Sequence, residues 1–217
     1  LREGTVLVSV AKGIEKDSGL LLHQVIEEEI PGCPVVVLSG PSHAEEVARG
    51  VPTGVVVASE SKEAAMLAQD LFMNEQMRLY TSPDILGVEI GAALKNVVAL
   101  CTGCWVGMGY GDNTKALIMT RALTEMARLG VAMGANKETF AGLSGLGDLV
   151  VTCTSVHSRN CRAGIAIGQG TPVEEAVGGK DGTVVEGYYA AASARQLARK
   201  MGVEMPIAEG AYQVLYE

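Results

Sequence analysis

The first eighty residues alternate β-branched runs with helix-like segments, and after Ser82-Pro83 the alternation stops. Residues 5–11, 34–39 and 53–59 are continuous apolar runs rich in valine, the pattern of strands buried on both faces in a parallel sheet, and residues 77–80 read as a short fourth strand. Residues 17–30 and 62–72 have helical spacing; Asp17 or Ser18 is expected to cap the first helix and Pro31-Gly32 to end it. Beyond residue 82, alanine, leucine, methionine and glycine recur at three- and four-residue steps. They predict helices over 83–106, 113–133, 137–143, 147–152, 158–169, 183–200 and 206–216. The pattern is that of an α/β unit over residues 1–81 followed by an all-helical unit over residues 82–217. An open parallel sheet should not begin with a central strand, so further sequence upstream is expected, and the last predicted helix suggests more downstream.

Hydrophobic residues make up 48% of the 217, enough for a sizeable core. A formal charge of −8, with lysines and arginines scattered singly, argues against a nucleic-acid surface. The longest uncharged run, residues 96–111, is short for a membrane span and rich in glycine. No export signal is visible, and five cysteines without a regular framework suit a reducing cytoplasm. Cys101-Thr-Gly-Cys104 has the spacing of a metal or redox pair, but no second pair or histidine lies nearby, and core packing is the expected role.

One helix carries an anomaly. In Gly87-Val-Glu-Ile-Gly-Ala-Ala-Leu-Lys95-Asn96-Val97 a lysine and an asparagine interrupt a small, apolar segment. Ile90, Leu94, Val97, Val98 and Cys101 form a buried stripe with Lys95 beside it, while Gly87 and Gly91 predict close approach by another backbone or a ligand. Two readings are open. Lys95 is either a surface lysine whose stem packs on the helix, or a desolvated one whose altered basicity suits proton transfer.

Four further places put polar groups where the pattern predicts crevices. Lys12-Gly13 ends the first strand and Gly40-Pro41-Ser42 ends the second; Asp148 sits between Gly147 and an apolar run; Ser158-Arg159-Asn160 opens a helix, where free amides and a guanidinium can grip phosphate. Each has a structural alternative: Ser42 as a helix cap with Glu45 in a capping box, Asp148 as a cap, Arg159 as an exposed first-turn residue, Lys12 as an ordinary strand end. No G-x-G-x-x-G, Walker-type loop, H-x-x-x-H pair or G-x-S-x-G elbow is present, and His23, His43 and His157 lie far apart in sequence.

Six blocks, residues 11–15, 38–46, 93–97, 111–113, 142–149 and 152–160, together resemble bacterial NAD(P)-dependent glycerol-3-phosphate dehydrogenases, in the right order over essentially the whole chain. The resemblance implies a Rossmann-type domain, here incomplete at its N-terminus, followed by a helical substrate domain. It implies reduction of dihydroxyacetone phosphate to sn-glycerol 3-phosphate with NADH or NADPH, in service of glycerophospholipid synthesis in the cytoplasm. By that similarity Lys95 is the catalytic acid/base and Asp148 positions it. Lys12, Gly40, Ser42, Asn96, Thr152, Ser158, Arg159 and Asn160 join them around the substrate, and Lys12, Ala44, Arg159, Val184 and Glu186 lie near the cofactor. Ala11 and His43 depart from the family pattern without removing a catalytic group. The family's glycine-rich pyrophosphate loop would lie upstream, so residues 1–217 alone are expected to bind NAD or NADP poorly. No transmembrane segment is expected, and a homodimer is one assembly open to the protein. Two alternatives stand beside this reading: a 3-hydroxyacid dehydrogenase of related architecture, and a helical oligomerisation module that has lost its chemistry.

Overall fold

Four strands form from the valine-rich runs: β1 (Leu7–Ser9), β2 (Val35–Ser39), β3 (Thr53–Ala58) and β4 (Met77–Ser82). They belong to a computed structural model that describes residues 1–155, 157–178 and 184–217. The strands lie side by side in chain order. β1 and β3 run parallel to β2 and β4 respectively, but β2 and β3 are antiparallel, with Val37 opposite Ala58 and Ser39 opposite Val56. This corrects the all-parallel expectation. The link from β2 to β3 holds only the four-residue helix α2 (Ala44–Val47) and a turn at Gly50 with φ +71°, so the chain reverses instead of crossing over. The runs do record burial, since Val36, Val37, Val55, Val57 and Ala58 are buried, but burial carries no strand direction. β1 is also shorter than its run, and Val10 beyond it is exposed.

The first helix corrects another expectation. α1 spans Leu22–Glu29, and neither Asp17 nor Ser18 caps it. Asp17 adopts φ +73° and Ser18 Oγ accepts from the Leu20 amide, so both serve a turn instead. That turn closes a small loop in which Ile14 bridges Leu21. The Leu21 amide in turn donates to Gln24 Oε1 at the helix start. α3 (Lys62–Phe72) has the expected bounds, capped by Ser61, whose Oγ accepts from the Ala64 amide.

The helical part is built around α4 (Ile85–Gly107), capped by Asp84, which accepts the Gly87 amide at 3.0 Å. Around it pack α5 (Asp112–Ala132), α6 (Asp148–Thr154), α7 (Arg159–Gly168), α9 (Glu186–Met201) and α10 (Pro206–Tyr216), with the short α8 (Val173–Val177) beside α7. α8 was not anticipated. Among the described residues α4 is the one helix long and apolar enough to cross a membrane, and from Gly87 to Gly103 it is buried by the rest of the protein. Its main core joins Ile90, Leu94 and Val98 to Ile118, Met126, Leu129, Phe140 and Leu149.

Four glycines set the closest helix contact. A Cβ on Gly103 or Gly107 would stand 2.2 Å from the carbonyl oxygen of Cys161 or Ile165, and one on Gly164 or Gly168 would stand 2.1 Å from that of Leu100 or Cys104. The backbones of α4 and α7 therefore touch, at a helix-propensity cost of about 1 kcal/mol per glycine that the packing offsets. At the other end Gly91 faces the Ser144 carbonyl, the close approach expected there.

Residues 137–152 depart from the two helices expected. A 3₁₀ turn (Lys137–Ala141) leads into a π-helical turn (Leu143–Gly147), and only then does α6 begin at Asp148. Gly142, Gly145 and Gly147 interrupt regular helix here. The start expected at Thr183 for the helix observed as Glu186–Met201 lies outside the described residues.

Candidate active site

Lys95 is buried at 6% exposure, which removes the surface reading. The small residues Gly91, Ala92 and Ala93 let the π-turn and α6 lie against α4, and the lysine reaches into that seam. Its Nζ donates to Asp148 Oδ1 and, at 3.0 Å, to Thr152 Oγ1. Asp148 is only 1% exposed, and its other oxygen accepts from Lys12 Nζ at 3.0 Å. Thr152 Oγ1 donates to the Asp148 carbonyl at 2.6 Å, so its lone pairs face the lysine. Two lysines thus share one carboxylate. Burial pushes the Lys95 ammonium down to about 8, the nearby charge of Lys12 adds to that, and Asp148 opposes it. The result is a lysine that changes protonation close to neutral pH inside a cluster with one surplus positive charge.

The next residue on α4 enters a different set. Asn96 Nδ2 donates to Glu186 Oε2 at 2.7 Å, Asn160 Nδ2 donates to Asn96 Oδ1 at 3.0 Å, and the Gly187 amide donates to Asn160 Oδ1 at 2.8 Å. This chain ties α4 to the starts of α7 and α9. Ser158 caps α7, its Oγ accepting from the Cys161 amide at 3.2 Å, while Arg159 is exposed in the first turn.

The strand ends complete the crevice. β1 and β2 are parallel, so Lys12 and the Gly40-Pro41-Ser42 turn leave the sheet at the same edge. Gly40 has φ +150°, and a Cβ there would meet Val55 Cα at 3.0 Å, so this corner needs glycine. Ser42 Oγ donates to the Gly40 carbonyl at 3.0 Å and does not cap α2, whose N-cap position is His43; this corrects the capping-box alternative, because the hydroxyl is taken up by the turn itself. The turn lies on α6 and the segment before α7: His43 Nε2 is 3.4 Å from the Val151 carbonyl oxygen, and the rings of His43 and His157 are 6.0 Å apart. Asp148 is the first residue of α6, not its cap.

Lys12, Lys95, Asp148 and Thr152 are therefore joined in one network, and Asn96, Asn160 and Glu186 in a second beside it. Ala44 is exposed at the start of α2 and Val184 is 53% exposed, both outside these networks. Cys101 packs in an apolar cluster with Val97 and Leu100, and burial pushes its thiol up to about 12. Sequence reasoning missed one buried hydrogen-bonded pair. Glu89, six residues before Lys95, accepts the His23 amide on Oε1 at 3.0 Å and meets His23 Nδ1 with Oε2 at 2.5 Å. A glutamate inside Gly87-Val-Glu-Ile-Gly-Ala was the available signal.

Comparison with known proteins gives the chain a family. Residues 84–217 match the sequence model for the C-terminus of NAD-dependent glycerol-3-phosphate dehydrogenase, and residues 1–65 match that for its N-terminus. The chain is 54% identical over 217 residues to glycerol-3-phosphate dehydrogenase [NAD(P)+] of Desulfitobacterium hafniense, covering all of this chain and 61% of the relative. It is 58% identical over 220 residues to the protein of that name from Pelotomaculum thermopropionicum, covering 63% of it. The crystal structure of glycerol-3-phosphate dehydrogenase from Coxiella burnetii superimposes with a TM-score of 0.92 at 39% identity, over 96% of this chain and 64% of the other. The chain thus spans less than two thirds of the length of these relatives.

Proposed function

The chain belongs to the NAD-dependent glycerol-3-phosphate dehydrogenase family, and from that premise we propose that its protein interconverts dihydroxyacetone phosphate and sn-glycerol 3-phosphate with NAD(H) or NADP(H). The observation that carries the reading is the buried Lys95–Asp148–Lys12 cluster. Reduction of the ketone leaves alkoxide charge on its oxygen, and an ammonium beside that oxygen stabilises and then protonates it; oxidation of the alcohol runs the step backwards. Lys95 Nζ is that group. Asp148 and Thr152 fix its direction, and Lys12 lowers its proton affinity while adding positive charge for the substrate. Gly40 and Ser42 border the substrate on the sheet side and Asn96 on the helical side. The substrate phosphate, remote from the reacting carbon, is received at the start of α7 by Arg159 and the amides around Ser158 and Asn160, and its binding energy orients the ketone.

The residues on this face fit a dinucleotide's nicotinamide end. Glu186 is half-buried and already oriented by Asn96, Arg159 is exposed, and Ala44 offers no bulk at the start of α2. Lys12, Ala44, Arg159, Val184 and Glu186 are the residues assigned to it. When bound, the cofactor supplies the hydride to C2 of the ketone or takes it from the alcohol. The same proposal divides the chain at residue 82 into a cofactor-side unit and a substrate-side unit, assigns the product to glycerophospholipid synthesis in the cytoplasm, and allows a homodimer. Family membership sets the hydroxyacid alternative aside.

The test is oxidation of NADH and NADPH by dihydroxyacetone phosphate with the full-length gene product and its Lys95→Ala variant. Turnover by the wild type that falls by roughly 10²–10⁴ in the variant is expected from loss of a general acid. No turnover by the wild type with either cofactor overturns the proposal and returns the helical module without chemistry to the front.

A further inference from the structure

The loop between β1 and α1 carries Lys12, yet it is not held by the sheet. Ile14 and Leu21, which bridge each other across the loop, are both buried in the main helical core with Ile90 and Leu94 of α4 and Ala194 and Leu197 of α9. Ser193 Oγ donates to the Ile14 carbonyl at 3.4 Å and Gln196 Nε2 to the Asp17 carbonyl at 2.8 Å, so α9 grips the loop from one side. From the other side the grip is Glu89, whose carboxylate takes both the backbone amide and the ring nitrogen of His23. Glu89 and His23 are each 4% exposed. This attachment stands on the helix that carries Lys95.

We propose that Glu89 and His23 are positioning residues, a buried clamp that fixes the Lys12 loop to α4 and so keeps Lys12 Nζ on Asp148 beside Lys95. The inference rests on the reading of Lys95 as acid/base and extends it to a pair that touches neither substrate nor cofactor. The geometry is direct. α1 begins at Leu22, one residue before His23, and Leu21 closes the loop that begins at Ile14, two residues after Lys12. Rotation of α1 away from α4 would draw the Ile14–Leu21 bridge with it and lift Lys12 off Asp148. A carboxylate held as a simple helix cap would also bind two groups of α1, so stability alone does not separate the roles. The titration of Lys95 does. The charged and titratable groups facing it are Lys12 from the loop and Asp148 and Cys153 from α6, and Lys12 is the one that the clamp positions.

The experiment is competitive acetylation of Lys95 as a function of pH, read by mass spectrometry on the full-length protein, with no substrate present. In the wild type the expected midpoint is at about 8. In Glu89→Ala, with circular dichroism reporting a folded chain, departure of Lys12 raises the midpoint by about one pH unit. Lys12→Met gives a shift of the same sign, and Glu89→Ala adds nothing further on the Lys12→Met background. Glu89→Gln, which can still bind both groups of His23, stays near the wild-type midpoint. In parallel, kcat/KM for dihydroxyacetone phosphate falls roughly 10- to 100-fold in Glu89→Ala, the penalty of a displaced positioning group. If Glu89→Ala does not fold, His23→Ala, which keeps the backbone bond, reads the same shift at smaller size. A folded Glu89→Ala or His23→Ala with an unmoved midpoint overturns the proposal, whatever its melting temperature. Because the labelling needs no turnover, failure of the clamp and failure of the glycerol-3-phosphate reading give different results.

Discussion

Lys95 and Asn96 are neighbours on one buried helix, yet they enter networks of opposite kind. The Lys95 side holds two ammonium groups and one carboxylate; burial in the seam draws the lysine down to about 8, and the second ammonium, that of Lys12, adds to the effect. The Asn96 side is a relay of amides that ends on Glu186, in which three donors meet acceptors at 2.7–3.0 Å. Burial is common to both. What differs is charge balance: the first network has a proton to give at neutral pH, while the second has only directions to hold. The proposal therefore gives chemistry to the first and alignment to the second.

Removing the proton donor is the severest way to break this contrast. Lys95→Ala should cut kcat by roughly 10²–10⁴ with the fold retained, whereas Asn96→Ala should leave an active enzyme. A steady-state comparison of the two variants checks it. The next largest effect should come from forcing α7 away from α4. Gly164→Val places a side chain where the Leu100 carbonyl oxygen stands 2.1 Å from a Cβ, and should destabilise the protein by about 3 kcal/mol in a denaturant titration. Whatever folds should show a raised KM for the phosphorylated substrate, because α7 carries Asn160 and Arg159 while the Lys95–Asp148 bond joins α4 to α6. Asn96→Ala itself should cost about 1–3 kcal/mol, since it strands Asn160 and Glu186, and should leave the pH profile of turnover in place. The smallest effect is the most discriminating. Lys12→Met should raise the pH at which turnover changes by about one unit while the fold is unaffected.

Much of the helical part was legible because its signals are local. α10 begins and ends where periodicity predicts, as α3 does in the α/β unit, and the glycines at 87 and 91 announced close neighbours: the Asp84 and Thr139 side chains at Gly87 and the Ser144 carbonyl at Gly91. Strand direction was not legible, since the valine run of β2 records burial equally well whether β3 runs with it or against it. Spacing could not decide the fate of Lys95 either. That depended on Asp148 and Thr152, which lie 53 and 57 residues away and are aimed by a π-turn that no periodicity encodes. Ser42 and Asp17 were misassigned for a shared reason: short polar side chains serve turns as readily as helix starts, and the glycines beside them favoured the turn. The Glu89–His23 pair joins positions 66 apart, so only its first half, a carboxylate within an apolar helix, was visible in the sequence.

The central claim, that Lys95 exchanges the proton, is tested most directly by the pH dependence of kcat in both directions. A lysine drawn below its ordinary value is protonated below about pH 8 and neutral above it. Ketone reduction, which needs the acid, should fall as pH rises through about 8, alcohol oxidation, which needs the base, should rise over the same interval, and both limbs should disappear from the residual rate of Lys95→Ala. Limbs that persist unmoved in Lys95→Ala would contradict the account and place the proton on another group.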